Sequence, residues 1–394
     1  MNTICKFGDI DTYLLYFIEI KSILILATIS KDQYTHMFKL DFVRQLCLLV
    51  QKNRNIKNII DIAAKYNYIS LINWISESSH RLQKNEFKYT ENAIDSAAWY
   101  GHLSVLDWFA NSKYKFKYTE SAIESAAFKG HIDILNFFSR RKDSKYKFKY
   151  CKNKIDYAAK NCQIDVLNWF ANSNYEFKYT DSTIDNAADN GHIDVLNWFA
   201  NSKYEFKYST FAIIGAASNS HIEILNWFDN SPYEFKYTDN AIEYAAENGH
   251  IDVLNWFDKS KYEFKYTESA IDVAAENGHI DVLNWFAESN YEFKYGERAI
   301  TQAAYYGNVD VLKWFDKSEY EFKYSEDLLY GALQENRYEV LKWYDESKYE
   351  IKYDHEEICD IVNAKYLEIL RNYLGPNSRI IKILDQYAKK IIDK

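Results

Sequence analysis

The sequence predicts an all-α fold, an α-solenoid of stacked helix–turn–helix repeats, and three observations predict it. An Ala-Ala pair recurs at Ala97, Ala126, Ala158, Ala187, Ala216, Ala245, Ala274 and Ala303, with a period of 29 residues broken by one 32-residue unit. A tryptophan ladder keeps step with it at Trp108, Trp169, Trp198, Trp227, Trp256, Trp285, Trp314 and Trp343, and Phe137 fills one rung. Between these blocks runs a short segment of strictly alternating aromatic and charged residues, such as Tyr291-Glu292-Phe293-Lys294-Tyr295. Self-similarity at a period of 20–50 residues marks architectures that grow along one axis.

Residues 262–290 show why each part of a unit takes its form. Thr267 is an N-cap candidate, and Glu268 follows where a carboxylate suits the positive end of a helix. Ala270, Ile271, Ala274 and Ala275 then share one narrow face of a short helix, and their small side chains let a neighbour approach closely. Gly278 ends that helix; Asn67, Asn336, Ser220 and Cys162 take its place in other units. Glycine and asparagine suit a left-handed position after a helix, while serine and cysteine suit it less well. The second helix, from about His279 to Glu288, is apolar at Ile280, Val282, Leu283, Trp285 and Phe286 and so needs cover on several sides. The tryptophan ladder is therefore expected to be buried between units. The aromatic–charged segment is too short for an independent sheet and reads as a linker.

Three regions follow. Residues 51–375 hold about eleven units, including worn copies at Ala63-Ala64 with Trp74 and at Tyr349 to Leu374. Residues 376–394 predict a capping helix through Ile380, Ile381, Ile383, Leu384 and Tyr387. Residues 1–50 do not repeat. They fit a helical cap over the first unit, and Asp11 to Lys39 also resembles a degenerate F-box. In that resemblance Leu14, Leu15 and Phe17 form the first helix, Ile20 to Ile29 the second, and Ser30-Lys31 with Tyr34 the third; the usual Leu-Pro opening is missing.

Two helices joined by a glycine turn, then an extended return, resemble the ankyrin repeat. The Ala-Ala pair, the Asn-Gly-His-Ile-Asp-Val-Leu turn and the spacing between them carry the likeness over about residues 51–375. The Gly-His-Ile-Asp-Val-Leu-Asn-Trp-Phe units are similar to those of ankyrin-repeat proteins of giant amoeba-infecting DNA viruses. The unit is 29 residues where the ankyrin unit has 33, and Ser-Ala-Ile-Asp stands where Thr-Pro-Leu-His is usual. The missing residues come from the β-hairpin finger, so a full finger is not expected. The resemblance implies a non-enzymatic protein–protein interaction scaffold. The F-box resemblance implies instead a substrate adaptor for a host ubiquitin ligase with a Skp1-like partner.

Composition narrows the alternatives. The net charge is −9 and the pI about 5.6, a poor match for a protein that neutralises phosphates, so no nucleic-acid partner is expected. Cys5, Cys47, Cys151, Cys162 and Cys359 form no CxxC pair and read as reduced thiols of an intracellular, host-cytoplasmic protein that is not secreted. The apolar stretch near Leu14 to Ile29 is interrupted by Glu19 and Lys21, which argues against a membrane span. A monomer is expected.

Candidate chemistry is scarce. His102, His131, His192, His221, His250 and His279 share one repeat position, but packed helices lie ~8–10 Å apart while zinc ligands sit ~2 Å from a shared ion. These histidines read as polar partners of backbone groups at the turn. The acids two residues later, as at Asp194, Asp252 and Asp281, read as first-turn carboxylates rather than as one member of a repeated catalytic dyad. No catalytic, metal or cofactor site is expected. The lysine row Lys88, Lys117, Lys149, Lys178, Lys207, Lys236, Lys265, Lys294, Lys323 and Lys352 has a Glu two residues earlier in most units. It reads first as a structural ladder and second as a site for an acidic ligand. Specificity belongs where units differ, at the first-helix places of Val273 and Glu276. There Trp99, Phe128, Tyr157, Tyr244 and Tyr305 bring aromatics to otherwise polar positions, the composition of interaction hot spots. Trp99, Phe128 and Tyr157 are expected to form an exposed docking patch.

Overall fold

The structure is a computed structural model that describes residues 59–81, 87–140, 154–354, 356–358 and 364–392. The cap or F-box-like segment 1–50, the tripeptide Arg140-Arg141-Lys142 beyond Arg140, and Lys149 lie outside the described residues. Described elements are helices, and none of the described residues forms a strand. The chain divides into two compact units, Met1–Thr180 and Asp181–Lys394.

In the first unit helix pairs follow one another: Ile59–Lys65 with Ile69–Arg81, Asn92–Trp99 with Leu103–Asn111, Glu120–Lys129 with Ile132–Arg140, and Lys154–Lys160 with Ile164–Asn172. The second unit repeats the motif from Ser182–Asp189 with Ile193–Ala200 to Asp327–Gln334 with Tyr338–Glu346, then ends in Ala364–Leu374 and Arg379–Ile392. Within each unit every first helix packs on the next first helix and on its own partner. The Ala-Ala pairs make this possible: Ala97, Ala98, Ala126, Ala127, Ala245, Ala246, Ala274 and Ala275 are all buried, as are Ile94, Ile123, Ile242 and Ile271 one turn earlier.

The turn between the two helices closes in the same way in each unit. In the pair 269–288, the Gly278 N–H donates to the Ala275 carbonyl at 3.1 Å and the His279 N–H to the Ala274 carbonyl at 2.9 Å. This is a Schellman closure around a left-handed residue. Gly278 has φ of +78°, and Asn67, Cys162, Ser220 and Asn336 sit at +57°, +53°, +56° and +56° at the same place. Serine and cysteine thus hold the strained conformation that the exchanges predict. Glycine has a second reason to be there. A Cβ on Gly101 would meet the His131 ring at 2.8 Å, and one on Gly249 would meet the His279 ring at 2.8 Å.

The histidines of the ladder reach back one unit. His102 Nε2 lies 3.1 Å from the Lys65 carbonyl, His131 Nε2 3.1 Å from that of Trp99, and His250 Nε2 3.0 Å from that of Ser218. Asn308 donates to the Glu276 carbonyl at 2.7 Å, and Arg337 to the Tyr305 carbonyl at 2.8 Å. A helix-end carbonyl that would otherwise lack a partner is satisfied by the next unit.

The expectation of a buried tryptophan ladder needs correction. Phe109, Phe170, Phe199, Phe228, Phe257, Phe286, Phe315 and Tyr344 are fully buried rings, each next to a half-buried indole. The indole N–H needs a partner, and it finds one at the rim: Trp256 Nε1 donates to Asn226 Oδ1 at 2.8 Å and Trp285 Nε1 to Asn255 Oδ1 at 3.0 Å. The indole face lies on linker rings. Phe264 stacks on Trp285 at 5.4 Å and on Tyr291 at 4.2 Å, which accounts for the heavy aromatic use.

The linkers are extended, and successive ones are tied together. Tyr237, Tyr266 and Tyr295 hydroxyls donate to the carbonyls of Glu263, Glu292 and Glu321 at 2.5–2.6 Å. The lysine row lies along the same seam. Lys236, Lys265, Lys294, Lys323 and Lys352 sit 4.2–4.9 Å above the tyrosine ring of the preceding linker. Lys178 and Lys207 pair with Glu176 and Glu205 at 2.7 and 3.1 Å. This is the geometry of a structural ladder.

Helix Arg379–Ile392 buries Ile380, Ile381, Leu384 and Tyr387. Arg379 donates to the carbonyls of Tyr344, Asp345, Ser347 and Tyr349 at 2.7–3.0 Å, tying this helix to the end of Tyr338–Glu346.

Candidate partner-binding ridge

The first helices meet edge to edge, so the residue just after each Ala-Ala pair forms a column along each unit. In Met1–Thr180 that column is Lys65, Trp99, Phe128 and Lys160. Trp99 is 39% exposed and Phe128 half-buried, and their rings stack at 5.7 Å between centroids and 22° between planes. Tyr157 comes from the place before the alanines, is also 39% exposed, and meets Phe128 edge-on at 5.8 Å. The structure therefore brings Trp99, Phe128 and Tyr157 into one continuous row. Tyr244 and Tyr305 belong to the other unit and join no such row. Tyr244 is exposed, while Tyr305 is half-buried, donates to Glu335 Oε1 at 3.1 Å, and leans over Gly331.

The local chain explains how these rings stay outside. Ser96, Ser125 and Gly331 are small at the place before the alanines, which leaves room beside the ring of a neighbouring first helix. The next residue of the turn matters too. Asn161, Asn190, Asn219, Asn248 and Asn277 fold back to carbonyls of their own helix at 2.8–3.0 Å. Tyr100 and Lys129 replace that asparagine here, and Tyr100 is exposed. Lys129 Nζ lies 4.8 Å over Trp99 and 5.2 Å over Phe128; Lys65 Nζ lies 5.6 Å over both Tyr66 and Tyr100. A shallow cleft beside Trp99 is lined by Lys65, Asp95, Ser96, Tyr100 and Ser125. Burial pushes the Asp95 carboxyl up, opposed by hydrogen bonds from the Thr119 hydroxyl and amide.

Sequence reasoning missed the lysines and Tyr100. Their signal was present in the two places after the alanines, which hold Lys65, Tyr100, Lys129 and Lys160 and stand out only when units are compared place by place. It also missed the contact that registers one unit on the next. The carboxylates of Asp61, Asp95, Asp156 and Asp185 accept from the backbone N–H of Thr90, Thr119, Thr180 and Ser209 at 2.9–3.0 Å, and from their hydroxyls at 2.6–2.9 Å. Thr119 in turn accepts from the Ser121 N–H at 3.2 Å, and Thr267 from that of Ser269 at 3.2 Å, so the N-terminal threonine serves cap and joint together. Ile214 replaces the acid in one unit, and the buried Thr238 hydroxyl is left without a partner.

Among the described residues, no group of three His, Cys, Asp or Glu side chains could hold a metal ion, and no helix is long and apolar enough to cross a membrane. The family model described as ankyrin repeats (many copies) matches residues 271–315. No curated protein matches the chain in sequence. Solved structures that resemble it include the pentatricopeptide repeat protein PPR10 from maize, at 10% identity and a TM-score of 0.30, covering 77% of this chain. The chain spans 51% of that structure. Over residues 271–315 the chain is similar to ankyrin repeats, and the described helices are pairs that recur along it.

Proposed function

We propose that the chain is a non-catalytic protein–protein interaction scaffold that docks a partner on the row Trp99, Phe128 and Tyr157. One observation carries the reading. Positions that stack one unit on the next are filled alike and buried, whereas this row holds three contiguous rings of which Trp99 and Tyr157 are exposed and Phe128 is half-buried. Rigid aromatics at a surface supply large contact area at little cost in conformational entropy, and truncating them at interfaces costs the most. Trp99 is also held in place from behind, since the next unit's His131 bonds its carbonyl. Such preorganisation lowers the cost of binding.

Paired affinity capture from cells tests this. A partner held by the wild type should be lost by a Trp99→Ala, Phe128→Ala variant and kept by Tyr244→Ala, with all three chains melting alike. Retention of every partner by the double variant would overturn the reading.

A further inference from the structure

We infer that Asn190, Asn248 and Asn277 are latent deamidation sites, each held unreactive by the helix pair that follows it, so that loss of one joint is recorded as a covalent change in the turn before it. The inference concerns turns of the second unit and does not depend on what the Trp99 row binds.

The sequence sets up the reaction. Asn-Gly occurs three times in the chain, at 190–191, 248–249 and 277–278, each time in the turn between two helices. In such a pair the glycine backbone nitrogen, once it gives up its proton, attacks Asn Cγ. The N–Cγ bond forms, the Cγ–Nδ2 bond breaks, and the amide nitrogen takes up a proton and leaves as ammonia. Water then opens the cyclic imide at one of its two carbonyls to give aspartate or isoaspartate. Glycine carries no side chain to crowd the attacking nitrogen and lets the chain reach the ring geometry.

The fold withholds both reactants. The N–H groups of Gly191, Gly249 and Gly278 donate to the carbonyls of Ala188, Ala246 and Ala275 at 3.1–3.2 Å. The side-chain amides of Asn190, Asn248 and Asn277 donate to the carbonyls of Asn186, Tyr244 and Val273 at 2.8–2.9 Å. The nitrogen that must lose its proton is thus engaged as a donor, and the amide that it must reach is tied one turn back. Reaction requires both bonds to open together, which is a local unfolding of the turn.

The cover comes from the next unit. The His221 ring lies 2.7 Å from where a Cβ on Gly191 would stand, the His279 ring 2.8 Å from that place on Gly249, and Asn308 Oδ1 2.9 Å from it on Gly278. Asn308 also donates to the Glu276 carbonyl beside the turn at 2.7 Å. A turn cannot open into space that its neighbour fills. The product, once formed, keeps the joint loose. A carboxylate has no N–H to return to the carbonyl one turn back, and its charge is unfavourable at the negative end of a helix. Isoaspartate adds a main-chain carbon to the turn.

The full chain is incubated at mildly alkaline pH, and amide-to-acid conversion at each asparagine is read by mass spectrometry of proteolytic fragments. Asn248 and Asn277 should convert at least about tenfold more slowly in the folded chain than in a synthetic peptide of residues 245–251, and urea below the unfolding transition should narrow the gap. Asn161-Cys162 and Asn219-Ser220 share the fold-back, at 2.8 and 3.0 Å, without glycine and serve as internal controls. His279→Ala should speed Asn248 by about threefold or more and leave Asn190 within about twofold, and Asn308→Ala should do the same for Asn277, because coupling is between neighbours. Melting curves close to the wild type check that these variants stay folded. Asn277→Asp should raise hydrogen exchange in Ser269–Glu276 and Ile280–Glu288. Conversion at the peptide's rate, or variants that speed all three sites alike, would overturn the inference. So would slow conversion in every variant together with unchanged exchange in Asn277→Asp.

Discussion

The column after the Ala-Ala pair reads Lys65, Trp99, Phe128, Lys160 in the first unit and Asp189, Ser218, Glu247, Glu276 at the start of the second. One place before it, both units are built alike: alanines with no exposed surface, an isoleucine one turn earlier, and a left-handed turn residue after. The difference separates two jobs that a repeat must do. Stacking constrains the alanines, the buried phenylalanine and the turn, and leaves the column beside them free to vary. In the second unit that freedom is taken up by polar contacts within the chain. Asn219 donates to Asp189 at 3.0 Å, and Arg298 pairs with Glu276 at 2.8 Å. In the first unit it places rings at the surface.

The largest effect should come where the two units are the same. Phe109→Ala and Phe257→Ala each remove a fully buried ring, 0% and 1% exposed, and each should cost ~3–5 kcal/mol. Denaturant unfolding should give equal losses, and hydrogen exchange should rise mainly in the neighbouring helix pairs, because coupling in such arrays is between nearest neighbours. Trp256→Ala should cost less, since its indole is half-buried and its N–H is bonded at the rim. Loss of exchange protection spread evenly along a unit would break the picture of independent joints.

A smaller effect separates joints that are complete from one that is not. Thr119→Val removes a hydroxyl bonded to Asp95 and leaves a partly buried carboxylate short of a donor, at a cost of about 1–2 kcal/mol. Thr238→Val removes a buried hydroxyl that has no hydrogen-bond partner, in the pair of units where Ile214 replaces the acid. It should be neutral or stabilising by up to about 1 kcal/mol. Equal destabilisation by both, measured by thermal melting, would show that the acid–threonine joint does not register the units. At the surface, Trp99→Ala with Phe128→Ala should change stability by less than either core substitution while abolishing partner binding, which separates the docking column from the stacking core.

Much of this was legible in the sequence because it repeats. Gly278 and its replacements Asn67, Cys162, Ser220 and Asn336 marked a left-handed position, and φ of +53° to +57° at the replacements agrees. The linker rings and the C-terminal helix were legible from alternation and from helical spacing. Other features were not. Trp256 and Phe257 are neighbours on one apolar helix, and hydrophobicity alone does not say which turns inward; the demand of the indole N–H for a partner decides it. Asp95 and Thr119 stand 24 residues apart in different units, so no local pattern joins them. The lysines of the ridge are single exchanges within a repeating pattern, and only a comparison of units place by place sets them apart.

The last prediction concerns the joint between Asp272 and Gly296. Threonine or serine usually stands at this place, and here glycine offers only its N–H, which donates to Asp272 Oδ1 at 2.8 Å. Burial is the main reason that the Asp272 carboxyl is pushed up to about 6, with the Glu268 charge adding to it and the Gly296 N–H and Arg298 opposing it. An unfolded aspartate titrates near ~3.9. Between about pH 4 and 6 the folded chain therefore holds a proton that the unfolded chain has released. This group's contribution is fully present below pH ~4 and is lost as pH rises through about 6. Gly296→Thr supplies the missing hydroxyl donor to the ionised carboxylate. Its Cβ would stand 3.1 Å from Asp272 Oδ2, a tight approach that a small shift of the carboxylate relieves. The variant should gain a few tenths of a kcal/mol to about 1 kcal/mol at pH 7.5 and less at pH 4.5, because a hydrogen bond to the charged form favours that form. The difference in melting temperature between variant and wild type at the two pH values isolates this joint from the other carboxylates. An equal gain at both would mean that glycine costs the fold only backbone entropy, and that Asp272 does not need the hydroxyl its counterparts in other units receive.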